Sequence, residues 1–263
     1  MKVDLLIATF ILLIFNSPAH AIDYQVTAYG KHELDPRTGK KSALYSYKLE
    51  NFSSDKNGVA VFSVGDIGTE PPPLFDTRVS SIINNSFVAP KGWKGEEMWL
   101  EESYSYSIRW KVAEFNDMLA GNYYLLPGQS SDQFSVRLTK VDPKYANVQA
   151  MVQGKLINMI KADTVAPTAE IYLITLPAAG KPGWLEVSVT AAAHDNMDPY
   201  PDVLLSKITA NQTFPATDVQ AVFNEETKKF LVKMAKDRIY NVTFTIMDAS
   251  GNTTSYTKDL PAK

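Results

Sequence analysis

The carboxylates come nearest to forming a site in this sequence. Asp195, Asp198 and Asp202 fall within the short stretch HDNMDPYPD, while Asp163 and Asp248 stand in segments that read as a linker and a turn. Hard cations such as calcium take clustered carboxylate and carbonyl oxygens, and a β-fold can bring a domain-entry segment close to its end loops. These five acids show no fixed ligand spacing. The simpler expectation is that each Asp closes its own turn by accepting a nearby backbone amide, with calcium as the alternative.

Nucleophilic catalysis by serine needs a base, and beyond the N-terminal leader the chain offers only His32 and His194. Neither is accompanied by the strand-turn-helix elbow that exposes a nucleophile, and two histidines so far apart lack zinc-ligand spacing. With no cysteine, thiolate catalysis and thiolate metal sites are excluded. Glu96, Glu97, Glu101 and Glu102 flank Trp99. Glycoside hydrolysis needs two acids held several ångströms apart across a cleft, whereas this group reads more simply as a solvated loop beside a strand. Trp93 and Trp99 border Lys- and Glu-rich loops and are expected to be exposed, a candidate platform for a carbohydrate or protein ligand. Trp110 shares a strand face with Ile108 and is expected in the core. No catalytic set emerges.

The elements that must position these residues are strands. Short runs rich in Val, Ile, Thr, Tyr and Phe alternate with clusters of Gly, Pro, Asn, Asp and Ser, the rhythm of an all-β sandwich. In YSYSIRW, Tyr104, Tyr106, Ile108 and Trp110 share one face with a period of two, as do Tyr240, Val242, Phe244 and Ile246 further on; LEVSV at Leu185 to Val189 alternates likewise. Lys155 to Ala162 is the best helix candidate in a chain poor in helix signals. Pro71, Pro72 and Pro73 mark a stiff polyproline-like loop. DTVAP, Asp163 to Pro167, is the expected break, because a proline pushes the preceding residue to extended geometry. The expected division is a leader at 1–21, an N-terminal β-sandwich at 22–162 and a second sandwich at 163–263.

At the N-terminus, LLIATFILLIF after Lys2 is followed by Asn16, Ser17, Pro18 and then Ala19, His20 and Ala21. That order is a signal peptide's, with cleavage expected after Ala21. The apolar run is too short for a bilayer, which needs roughly 20 residues. Secreted or periplasmic location is therefore expected, with no integral membrane segment in the mature chain. A net charge of -3 provides no basic field to attract nucleic acid.

DTVAPTAEI (Asp163 to Ile171), VTAAAHDNMDPYPDV (Val189 to Val203), ITANQ (Ile208 to Gln212) and RIYNVTFTIMDASGNTT (Arg238 to Thr254) resemble a bacterial immunoglobulin-like domain of the hyalin-repeat-related kind. The resemblance implies an immunoglobulin-like sandwich in a secreted or surface protein and carries no activity with it. The cysteine pair of many such repeats is missing here. YSYKLEN, APKGW and LLPGQSSDQFSV in the first half are more weakly similar to β-sandwich domains of bacterial exported proteins. The function expected is non-catalytic: binding an unknown protein or carbohydrate partner in adhesion, envelope assembly or polymer binding. The competing expectation is a secreted hydrolase built on the acids and aromatics of the first half.

Overall fold

The computed structural model describes residues 23–54, 56, 58–65, 81–100, 105–142, 144–147, 149–221, 223 and 228–261. The expected leader, the Pro71 to Pro73 loop, Glu101 and Glu102 lie outside the described residues, as do the side chains of Trp99 and Tyr106.

The chain is mostly β-strand. Strands β1 (Tyr24–Leu34) and β2 (Lys41–Asn51) pair antiparallel along their whole length, and β3 (Val61–Gly65), β4 (Trp93–Leu100) and β5 (Ser105–Val112) follow. Helix α1 (Phe115–Ala120), β6 (Ser130–Leu138), the single turn α2 (Lys144–Asn147), β7 (Gln149–Val152), β8 (Lys155–Asn158) and β9 (Ile160–Lys161) complete the first half. Two sheets result, ordered β6-β2-β1-β9 and β4-β5-β3-β7-β8.

Alternation along these strands turns one side of each sheet toward a common core. Tyr45, Tyr47 and Phe134 reach it from one sheet, Phe62, Ile108 and Trp110 from the other. Phe62 stacks on Trp110 with ring centroids 5.0 Å apart and meets Phe134 edge-on at 4.8 Å. Large aromatic surfaces thus bind the two layers without a disulfide.

The second half contains β10 (Thr168–Pro177), β11 (Trp184–His194), β12 (Asp202–Ala210), β13 (Val219–Gln220), β14 (Lys229–Lys233), β15 (Ile239–Met247) and β16 (Thr253–Pro261). They form sheets ordered β10-β11-β14-β13 and β12-β15-β16 around a second, separate hydrophobic cluster. Tyr240, Val242, Phe244 and Ile246 are all fully buried there, on the face their period of two selects.

Lys155 to Ala162 is not a helix. Gln153 and Gly154 both take positive φ, 48° and 77°, and turn β7 back into β8. That backbone matches the twist of paired strands, and β9 then continues as a short parallel partner of β1. Pairing with neighbours distant in sequence overrides the weak local helix propensity.

Candidate cation site and histidine lock at the junction

The two halves meet through the end of the β1–β2 hairpin and the loops that follow β9, β11 and β15. Gly30, on β1, lies so close to the β15–β16 turn that a Cβ there would stand 2.9 Å from the Ala249 carbonyl oxygen. Ser250 donates its hydroxyl to the Gly30 carbonyl at 3.2 Å. The Tyr45 hydroxyl donates to the Ala249 carbonyl at 2.9 Å and accepts the Asp142 amide at 3.1 Å. Burial raises the Tyr45 pKa, which keeps the phenol a neutral donor.

His32 is the centre of a polar lock in this contact. Its ring is 3% exposed. Nδ1 lies 2.6 Å from Asp198 Oδ2 and Nε2 lies 3.2 Å from Asp202 Oδ2, so both nitrogens are engaged by carboxylates of the second half. The His32 amide donates to Asp198 Oδ1, and the amides of Tyr200 and Ala249 also donate to that carboxylate. Lys41 reaches Asp202 Oδ1 at 2.5 Å. Burial alone would lower the His32 pKa, but the hydrogen bonds to Asp198 and Asp202 and the Asp202 charge outweigh burial and Lys41, and it is raised above 6.5. Burial likewise works to raise Asp198, yet His32 and the two amides hold it below the usual carboxylate value. Both directions favour an ion pair.

Beside the lock, Asp163, Asp195 and Asp248 converge from three segments: the entry to β10, the loop after β11 and the turn after β15. Each offers a carboxylate oxygen, and these oxygens lie within 4.8 Å of one another. Each acid also closes its own turn. Asp163 Oδ1 accepts the Val165 amide at 3.0 Å, Asp195 Oδ1 accepts the Met197 and Asp198 amides, and Asp248 Oδ1 accepts the Asn252 amide at 2.8 Å. The Asn252 side-chain amide donates to Asp248 Oδ2 and to the Asp163 carbonyl, while its oxygen accepts Lys161 Nζ at 2.6 Å. Among the described residues, Asp163 Oδ2 and Asp195 Oδ2 are buried without a hydrogen-bond partner.

Burial pushes the Asp163 carboxyl up, with Asp195 adding to the rise against the Val165 amide and Lys161. Burial also raises Asp248, and the charges of Asp163 and Asp195 reinforce it against the Asn252 hydrogen bonds. Asp163 and Asp248 thus stand at a place that disfavours their charge.

The structure therefore divides the five acids singled out in the sequence. Asp163, Asp195 and Asp248 come together, whereas Asp198 and Asp202 turn to His32. The spacing of Asp195 and Asp198 carries no hint of this split, and His32 lies 166 residues from Asp198, so the lock had no local signal. Gly251 in the β15–β16 turn has φ 80°, the left-handed region expected of it.

In the first half, Trp93 is not the exposed aromatic that its charged neighbours suggest. It is 9% exposed, packs edge-on against Phe134 at 5.2 Å and donates its indole N–H to the Tyr123 carbonyl. The strand's alternation turns it to the core, while the flanking Lys91 and Lys94 are exposed. Its remaining edge borders a polar groove of about 620 Å³ shared with Asn84, Asn85, Phe87 and Glu97. Trp99 lies on β4 opposite Tyr106, its side chain outside the described residues. Glu96 is held by Arg109 and by Lys111 at 2.9 Å. Partial burial opposes the shift, but these cations keep its carboxyl below the usual value, the reverse of what a general acid needs. Glu97, its neighbour on the strand, points to the opposite face.

Compared with known proteins, the chain matches no family model and no curated protein.

Proposed function

We propose that this chain is a non-catalytic extracytoplasmic protein of two tandem β-sandwiches, the second immunoglobulin-like, that acts by binding a protein or carbohydrate partner at its surface. The observation that carries this reading is the use made of His32: a buried imidazole with both nitrogens engaged by carboxylates is a structural cross-link between the halves, and a base must have a nitrogen free to take a substrate proton. Glu96 supports it, being neutralised by two cations. Two sheet pairs, each around its own core, suit a tandem sandwich. The groove beside Glu97, with the amides of Asn84 and Asn85, offers the donors and acceptors that a sugar or peptide backbone takes.

The mature protein is to be screened on glycan and peptide arrays and assayed for hydrolysis of glycosides and esters. Saturable binding that falls at least tenfold in Glu97→Lys, without turnover, is the expected result. Turnover abolished by Glu97→Gln would establish the hydrolase instead.

A further inference from the structure

We propose that Asp163, Asp195 and Asp248 form a divalent-cation site of calcium type, which ties the linker between the halves to two loops of the second half. It stands apart from the partner-binding reading and survives that reading's failure.

The two carboxylate oxygens left without a donor carry the inference. Asp163 is 1% exposed, and among the described residues its Oδ2 is buried with no hydrogen-bond partner; Asp195 Oδ2 is in the same state. Turn closure accounts for the other oxygen of each acid and for both oxygens of Asp248. Turns therefore explain where these side chains are anchored and leave unexplained why two acids of one cluster each bury an oxygen without a donor. Burying an acceptor unpaired is unfavourable, and burying several like charges more so. Lys161 is close, but its ammonium is directed to Asn252 Oδ1.

A cation resolves both problems. The donors are all oxygens, with neither His nor Cys among them, which selects a hard ion. Oxygens bound to one ion at about 2.4 Å stand no more than about 4.8 Å apart, and these acids meet that limit. Magnesium demands near-ideal octahedral geometry and retains its waters. Three acids pinned by turns on separate segments suit calcium's irregular, larger shell, with water filling the remaining positions. A proton shared by Asp163 and Asp195 is the competing account. It satisfies that pair, which lies within hydrogen-bonding reach, with Asp248 held by its own turn, and it differs from a cation in requiring no response to calcium.

The test uses the full mature protein freed of metal with a chelator. Calorimetric titration with calcium is expected to show one saturable site, and the melting temperature is expected to rise by several degrees at calcium a hundredfold above the dissociation constant. Magnesium at equal concentration is expected to give a smaller rise. Asp163→Asn keeps an oxygen for the Val165 amide and removes the charge. It should melt at or above wild type in chelator and show no response to calcium. If it does not fold, Asp195→Asn, on a more exposed loop, makes the same comparison. Absence of calcium heat and of any melting shift in wild type, as a shared proton predicts, overturns the proposal. So does a full calcium response retained by either folded variant.

Discussion

His32 shows how carboxylate partners can favour the charged form of a buried side chain. Its ring contacts Asp198 on one side and Asp202 on the other, with Lys41 the nearby cation. Because the folded-state pKa is raised, the imidazolium's contribution to stability is fully present below the unfolded value of about 6.5 and is lost as pH rises through the folded value. His32→Gln should therefore destabilise the protein most at pH 5.5, by roughly 3–5 kcal/mol, since removing one partner strands a buried charge. The gap to wild type should narrow at pH 8.5. Urea melts of both proteins at the two pH values check this, and a gap that widens with pH contradicts the ion pair.

Strand β15 and the turn that ends it connect local chemistry to the junction. Four successive inward positions, Tyr240, Val242, Phe244 and Ile246, are buried, so the register of this strand decides whether the second core forms. The turn must then place Asp248, Ala249 and Ser250 within reach of the linker and of β1. Gly251, with φ 80°, allows that reversal. Gly251→Val should cost about 1–2 kcal/mol or more, because a β-branched residue is disfavoured at positive φ. Thermal melts quantify the loss, and a variant as stable as wild type would show that the turn has another conformation. The β7–β8 hairpin teaches the complementary lesson. Lys155 to Ala162 has a composition that allows a helix, and the Gln153–Gly154 turn together with pairing to β1 makes strands of it.

The two halves have separate cores, and among the described residues His32, Lys41, Tyr45 and Lys161 bond from the first half to the second. Pieces covering 22–162 and 163–263 are expected to melt cooperatively, each below the full chain, since the His32, Tyr45 and Lys161 contacts are absent from both. Circular dichroism of the two pieces checks this; failure of both to fold means that the cores depend on each other. Export is tested separately: N-terminal sequencing of protein from periplasm or medium should read Ile22, Asp23, Tyr24.

The strand character of most of the chain was legible because alternation with a period of two is a local pattern, and burial follows it at Ile108, Trp110, Val187 and Phe244. The acids were legible as individuals, each two to four residues from the amide it accepts. Their partition into a three-carboxylate cluster and a histidine lock was not. It depends on β1 meeting loops more than 160 residues away, and no local pattern encodes so distant a pairing. Trp93 differs from its sequence expectation for a related reason: its charged neighbours suggest surface, while the pleat of β4, set by pairing with β5, turns the indole inward. Side-chain type and period are properties of a segment. Which segments meet is set by packing two cores and a junction at once, and only the folded chain resolves it.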